Sequence, residues 1–224
     1  MPKLSTLIDR HKQFYERNEK NQFDKARRYY RGDFWFHKSV DIQNSNNLHL
    51  CSKNLIYAIA DTAVSALLGP NPRVAAMPQN QRSQEAVPAV TGLLQYVFRD
   101  NRMRRRAATA LIDAVLCKRG IFKTSWNSAK DAPTIKVVDP SSLFFDLTVR
   151  DVADVKYWLE ATVVPFAEFK ARVESGQYKA KMEDVRPDRY PTWILGDDQK
   201  GQADSVRDAF QWVTVWEHYE RESN

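Results

Sequence analysis

Residues 110–127 read ALIDAVLCKRGIFKTSWN, and the change of period at Gly120 decides the fold class. Before it, the segment from Met103 to Arg119 keeps helical periodicity. Beyond it, Ile121, Lys123 and Ser125 interleave with Phe122, Thr124 and Trp126, the two-residue alternation of a strand. Ile135–Val138 follow across a polar turn, so the two segments read as a hairpin. The chain is therefore α+β, with a predominantly helical N-terminal half followed by a small mixed β region.

Toward the N-terminus the periodicity stays helical. Ser52 is positioned to cap a helix whose stripe of Leu55, Ile56, Ile59, Ala60, Ala63, Val64, Leu67 and Leu68 predicts the main core helix, ended by Gly69 and Pro70. Arg73–Met77 reads as extended, and helices are expected over 84–99 and 103–119 with a corner at Asp100 and Asn101. Pro88 permits the first of these to begin near Val87. Two shorter helices, over 4–18 and 22–31, precede a Phe34–Trp35–Phe36 cluster and an Asn-rich surface loop over 37–50. Residues 1–51 are accordingly set apart as N-terminal helices and loop, and 52–224 as the α+β region.

Toward the C-terminus, a strand over 157–163 leads through Pro165 into a short helix that Gly176 ends. Residues 183–208 carry seven acids against four bases and predict a long irregular insertion. A strand over 210–219 closes the sequence. A strand needs a ladder partner for its backbone groups, so the intact protein is expected to continue.

With 43% hydrophobic and 12% aromatic residues among 224, the chain has material for a sizeable core. No stretch approaches the ~18 uninterrupted apolar residues of a membrane helix, and no secretory signal is read, so no membrane partner is expected. Cys51 and Cys117 have no metal-site spacing and read as buried small hydrophobes. A formal charge of +6 favours a polyanionic partner without identifying one.

The chemistry-bearing residues are sparse. His11, His37, His49 and His218 are scattered and read as structural. Neither GxxxxGK[ST] nor GxGxxG occurs, so no phosphate-cradling loop or other cofactor site is expected. Asp139, Asp146, Asp151 and Asp154 could serve a two-metal nuclease if folding converged them; the structural reading makes them turn and cap residues. Trp193, Trp212, Trp216 and Tyr219 could stack bases, although strand spacing favours a core or interface role. The residues singled out are Arg102, Arg104, Arg105 and Arg106, within seven bases against two acids between 99 and 119. Arginines at a helix start oppose its macrodipole, which points to a carboxylate-bearing or anionic partner: a neighbouring subunit or DNA. Nothing in the sequence reads bases, so DNA contact would be phosphate-only and sequence-independent.

Three segments in order, NLIYAIADTAVSALLGPNPRVAAMP (54–78), ALIDAVLCKRGIFKTSWN (110–127) and IKVVDPSSLFFD (135–146), resemble the portal proteins of tailed bacteriophages. KYWLEATVVPFAEFKARVESGQY (156–178) and VTVWEHYER (213–221) extend the resemblance over roughly residues 25 to 221. It implies a non-enzymatic wing region of a dodecameric ring at one capsid vertex of the virion, made in the bacterial host cytoplasm. Implied partners are further copies of itself, the capsid protein, terminase, head-completion or tail proteins, and double-stranded DNA. The chain is expected to lack the stem, clip and crown of such proteins. The alternatives left open are a metal-dependent nuclease and a sequence-independent nucleic-acid-binding module.

Overall fold

A computed structural model describes residues 4–34, 53–69, 74–146, 149, 151–187 and 211–221. It divides the chain into a central unit, Ala26–Pro140, and a discontinuous unit, Met1–Lys25 with Ser141–Asn224. The predicted loop over 37–50, residues 188–208 of the acidic insertion, and Trp35, Phe36 and Trp193 lie outside the described residues. None of the helices among the described residues is long and apolar enough to cross a membrane.

The α+β class holds, with six helices and small antiparallel sheets among the described residues. Two helices open the chain, α1 (Leu4–Asn18) and α2 (Lys20–Tyr30), the second crossing the boundary between the units.

In the central unit α3 (Leu55–Leu68) is capped by Asn54, not by Ser52. The Asn54 side chain accepts from the Tyr57 amide at 2.9 Å and donates to the Tyr30 carbonyl at 2.8 Å, satisfying the ends of two helices at once. The predicted core stripe of α3 is mostly not core. Ala60 and Val64 are buried, whereas Leu55, Ile59 and Leu67 are 64%, 68% and 61% exposed. The helix packs chiefly on α5 (Met103–Cys117), and one partner covers only a narrow seam. Between them α4 (Val87–Asp100) starts at Val87 with Pro88 in its first turn, and none of its residues is buried. Gln81–Ser83 before it forms a three-ten turn closed by reciprocal Asn80 and Ser83 bonds.

The corner after α4 is held by Asn101, only 4% exposed. Its amide donates to the Val97 and Pro133 carbonyls at 2.9 and 3.0 Å. Its oxygen accepts from the Ile135 amide at 2.9 Å and from Arg106 at 3.1 Å. Helix α5 stops two residues earlier than predicted because Lys118 is left-handed, with φ 64°. The chain then enters the hairpin of β1 (Ile121–Asn127) and β2 (Ala132–Val138), in register from Ile121↔Val138 to Asn127↔Ala132. Strand β2 begins three residues before its predicted start, since a two-stranded sheet tolerates Pro133.

In the discontinuous unit β3 (Leu143–Phe145), β4 (Tyr157–Pro165) and β5 (Trp212–Glu220) form an antiparallel sheet in that order. The C-terminal strand finds its ladder partner in β4 along its whole length. Leu159, Ala161 and Val164 of β4 are buried together with Phe144 and with Phe169 of α6 (Phe166–Glu174). From α1, Tyr15 meets Phe144 edge-on with centroids 5.8 Å apart, and Trp216 lies 5.6 Å from the same ring. Trp216 is thus a packing residue. Among the buried polar residues of this unit is His11, whose Nε2 lies 2.9 Å from the Tyr157 hydroxyl. Burial lowers its pKa against a partial opposing effect of Asp146, so the ring stays neutral.

Gly120 is required by space. A Cβ there would lie 2.2 Å from the Ala110 carbonyl oxygen and 2.9 Å from its carbon, both backbone atoms that cannot rotate away. Gly120→Ala is expected to lower stability by roughly 1–3 kcal/mol through overpacking at the helix–hairpin junction. Urea denaturation followed by circular dichroism measures it, and an unchanged midpoint would contradict this packing.

Candidate contact surfaces and an ion pair of the central unit

The corner set by Asn101 decides where the predicted arginines go. Arg102 adopts φ 49°, a left-handed conformation that disfavours a Cβ, and α5 begins directly after it with no side-chain cap. Arg102, Arg104 and Arg105 are exposed and line one cleft of about 1010 Å³ together with Arg99. The fourth predicted residue, Arg106, instead points inward to the Asn101 oxygen and supports the corner. The apolar lining comes from Val64 and Leu68 of α3, Phe98 of α4, and Met103, Ala108 and Ile112 of α5. Asp61 is the acid in this lining. The structure therefore brings three of the four predicted arginines together and adds Arg99, which also lies 6.0 Å from the Tyr96 ring centroid.

A second polar cluster has no counterpart in the sequence reading. Arg27 of α2 pairs with Asp139 after β2 at 2.8 Å, close to Asp113 and Cys117 of α5. Burial opposes the Arg27 charge, but Asp139 holds the guanidinium firmly protonated. Burial likewise pushes Cys117 up to about 11 despite Arg27, so the thiol stays neutral and unreactive near pH 7. Asp113 is pushed up to about 6, first by burial and then by Asp139, with Arg27 opposing. Contacts separated by 112 residues leave no local spacing signal, which is why Arg27 escaped notice.

Three of the four aspartates considered for a metal site have an ion-pair, electrostatic or turn role, and Asp154 is exposed at the end of the three-ten turn Val152–Asp154. Asp139 is paired with Arg27, and Asp146 acts electrostatically on His11 and Tyr157. Asp151 accepts from the Ala153 amide at 2.9 Å, capping the three-ten turn Val152–Asp154 as its sequence position suggested. Among the described residues no group of three or more His, Cys, Asp or Glu is placed to hold a metal ion.

The prominent exposed features are thus apolar helix faces and an arginine-lined cleft, carried on units whose polar networks serve packing: the attributes of a structural subunit built for contact. The sequence matches the family described as phage P22-like portal protein over residues 8–224, and the chain belongs to that family of bacteriophage head–tail connectors. No curated protein matches it.

Asp113 provides a pH test of the cluster around the Arg27–Asp139 pair. Its raised folded pKa means that the folded state gains stability relative to the unfolded one as pH falls through about 6 toward 3.8. Asp113→Asn removes the penalty of the buried charge. The variant is expected to be more stable than the parent at pH 7.5, by on the order of 1 kcal/mol, with the difference vanishing below pH 4. Chemical denaturation at the two pH values measures this; a less stable variant at pH 7.5 would show that Arg27 depends on Asp113 for its charge balance.

Proposed function

We propose that this chain is the wing portion of a portal subunit and that copies join side by side into the ring through which the phage genome enters and leaves the capsid. The ring, dodecameric by family resemblance, is made in the host cytoplasm and built into one capsid vertex of the virion. It seats the terminase during packaging and head-completion or tail proteins afterwards. Double-stranded DNA passes without sequence recognition, a role compatible with a net charge of +6.

The observation that carries this reading beyond the family match is the exposed apolar surface of the central unit. Leu55, Ile59 and Leu67 of α3 and Val90, Leu93 and Tyr96 of α4 all face solvent. Large aliphatic and aromatic side chains left bare in numbers mark a subunit interface. A ring requires head-to-tail contacts that use two different faces of each copy.

Light scattering with negative-stain imaging tests the reading on the purified chain. Concentration-dependent association into rings or large oligomers is expected, and Ile59→Glu combined with Leu93→Glu should abolish it while the helical circular dichroism is retained. A parent chain that stays monomeric at every concentration would remove these faces as the subunit contact.

A further inference from the structure

We propose that the arginine-lined cleft of the central unit is a docking groove for an acidic amphipathic helix of a partner protein. This goes beyond the ring contact and uses a different side of α3. Asp61, Val64, Ser65 and Leu68 form the stripe that faces the cleft, whereas Leu55 and Ile59 lie roughly half a turn away.

Three features define the occupant. The first is charge: Arg99, Arg102, Arg104 and Arg105 converge on the cleft against one acid, Asp61. Among the described residues Arg102, Arg104 and Arg105 have no ion pair, and their guanidinium forks suit carboxylates. Placing such residues at the start of α5 costs stability that an anionic partner would return. The second is the apolar floor. Val64, Leu68, Phe98 and Ile112 offer nothing to a phosphate, and covering them with a charged backbone would desolvate that backbone without compensation. A partner side chain such as leucine fills this floor, which duplex DNA cannot supply. The third is shape: the cleft lies among α3, α4 and α5, and its α3 wall from Asp61 to Leu68 runs about 10 Å, the axial distance from i to i+7 of a helix. Such a trough accepts a helix that presents apolar anchors at i, i+4 and i+7 with acids at its edge. A second copy of this chain brings its own excess of bases, 34 against 28 acids, and is the poorer electrostatic match.

The probe is a fluorescein-labelled helical peptide with leucines at i, i+4 and i+7 and glutamates flanking them, titrated with the full chain by fluorescence anisotropy. Two variants report on the groove. Arg102→Glu combined with Arg105→Glu reverses charge at its edge. Ser65→Glu adds a carboxylate at an exposed position of α3 that lines it. Each variant should weaken peptide binding by about tenfold or more. Replacing the peptide's leucines by serine should do the same, and added salt should weaken binding progressively.

Absence of binding, or equal binding by the leucine-free peptide, would overturn the proposal. So would a short DNA duplex that binds as tightly and competes the peptide off, which would make the cleft a phosphate site. Light scattering on the same variants separates this result from the ring reading. Docking variants should keep the parent's mass, and loss of self-association in them would reassign the cleft to a second copy.

Discussion

The central unit depends on one buried amide. Asn101 has two donors and an acceptor oxygen with two lone pairs, and all four sites are taken: by Val97, Pro133, Ile135 and Arg106. A fully satisfied buried network fixes geometry, because any displacement leaves a desolvated polar group unpaired. Through these bonds the end of α4, the first turn of α5 and the middle of β2 become one rigid corner. An apolar residue of similar size would fill the volume and leave the Ile135 amide and the Pro133 carbonyl without this partner.

The cleft arginines follow from that corner. Pinning the chain at Asn101 and starting α5 at Met103 leaves a single residue, Arg102, to make the turn, and it does so in the left-handed region. Glycine or asparagine would turn there at less cost. The residue present is an arginine, exposed beside Arg104 and Arg105, with Arg106 one position further on half-buried and turned to the Asn101 oxygen. One run of arginines is thus split between support and surface by the helical period alone.

The change of period at Gly120, the Pro-led helix α6 and the alternation of β5 were legible because each is a local consequence of side-chain spacing. Asn54 superseded Ser52 as a cap because its side chain also reaches the Tyr30 carbonyl, a partner that spacing does not reveal. The roles of Asn101, Arg27 and Asp113 were invisible for the same reason: their partners come from distant parts of the chain. Sequence position placed Asn101 at a corner and said nothing of what the corner held. The arginine cluster was legible as composition, and its division was not, because only the fold tells which side of α5 is covered.

The greatest departure from the sequence reading concerns α3, and it is also the most informative about function. Its apolar positions surround more than half the helix, which on periodicity alone predicts a buried element. The fold covers only Ala60 and Val64 and leaves Leu55, Ile59 and Leu67 in water. Hydrophobic burial contributes roughly 1.5–3 kcal/mol for a large aliphatic side chain, so these positions forgo several such contributions within the chain. That free energy is available to association instead. In the proposed ring such a helix would join a core completed by a neighbouring chain, while its other side, Asp61, Val64, Ser65 and Leu68, faces the cleft whose arginines come from α4, α5 and the corner between them.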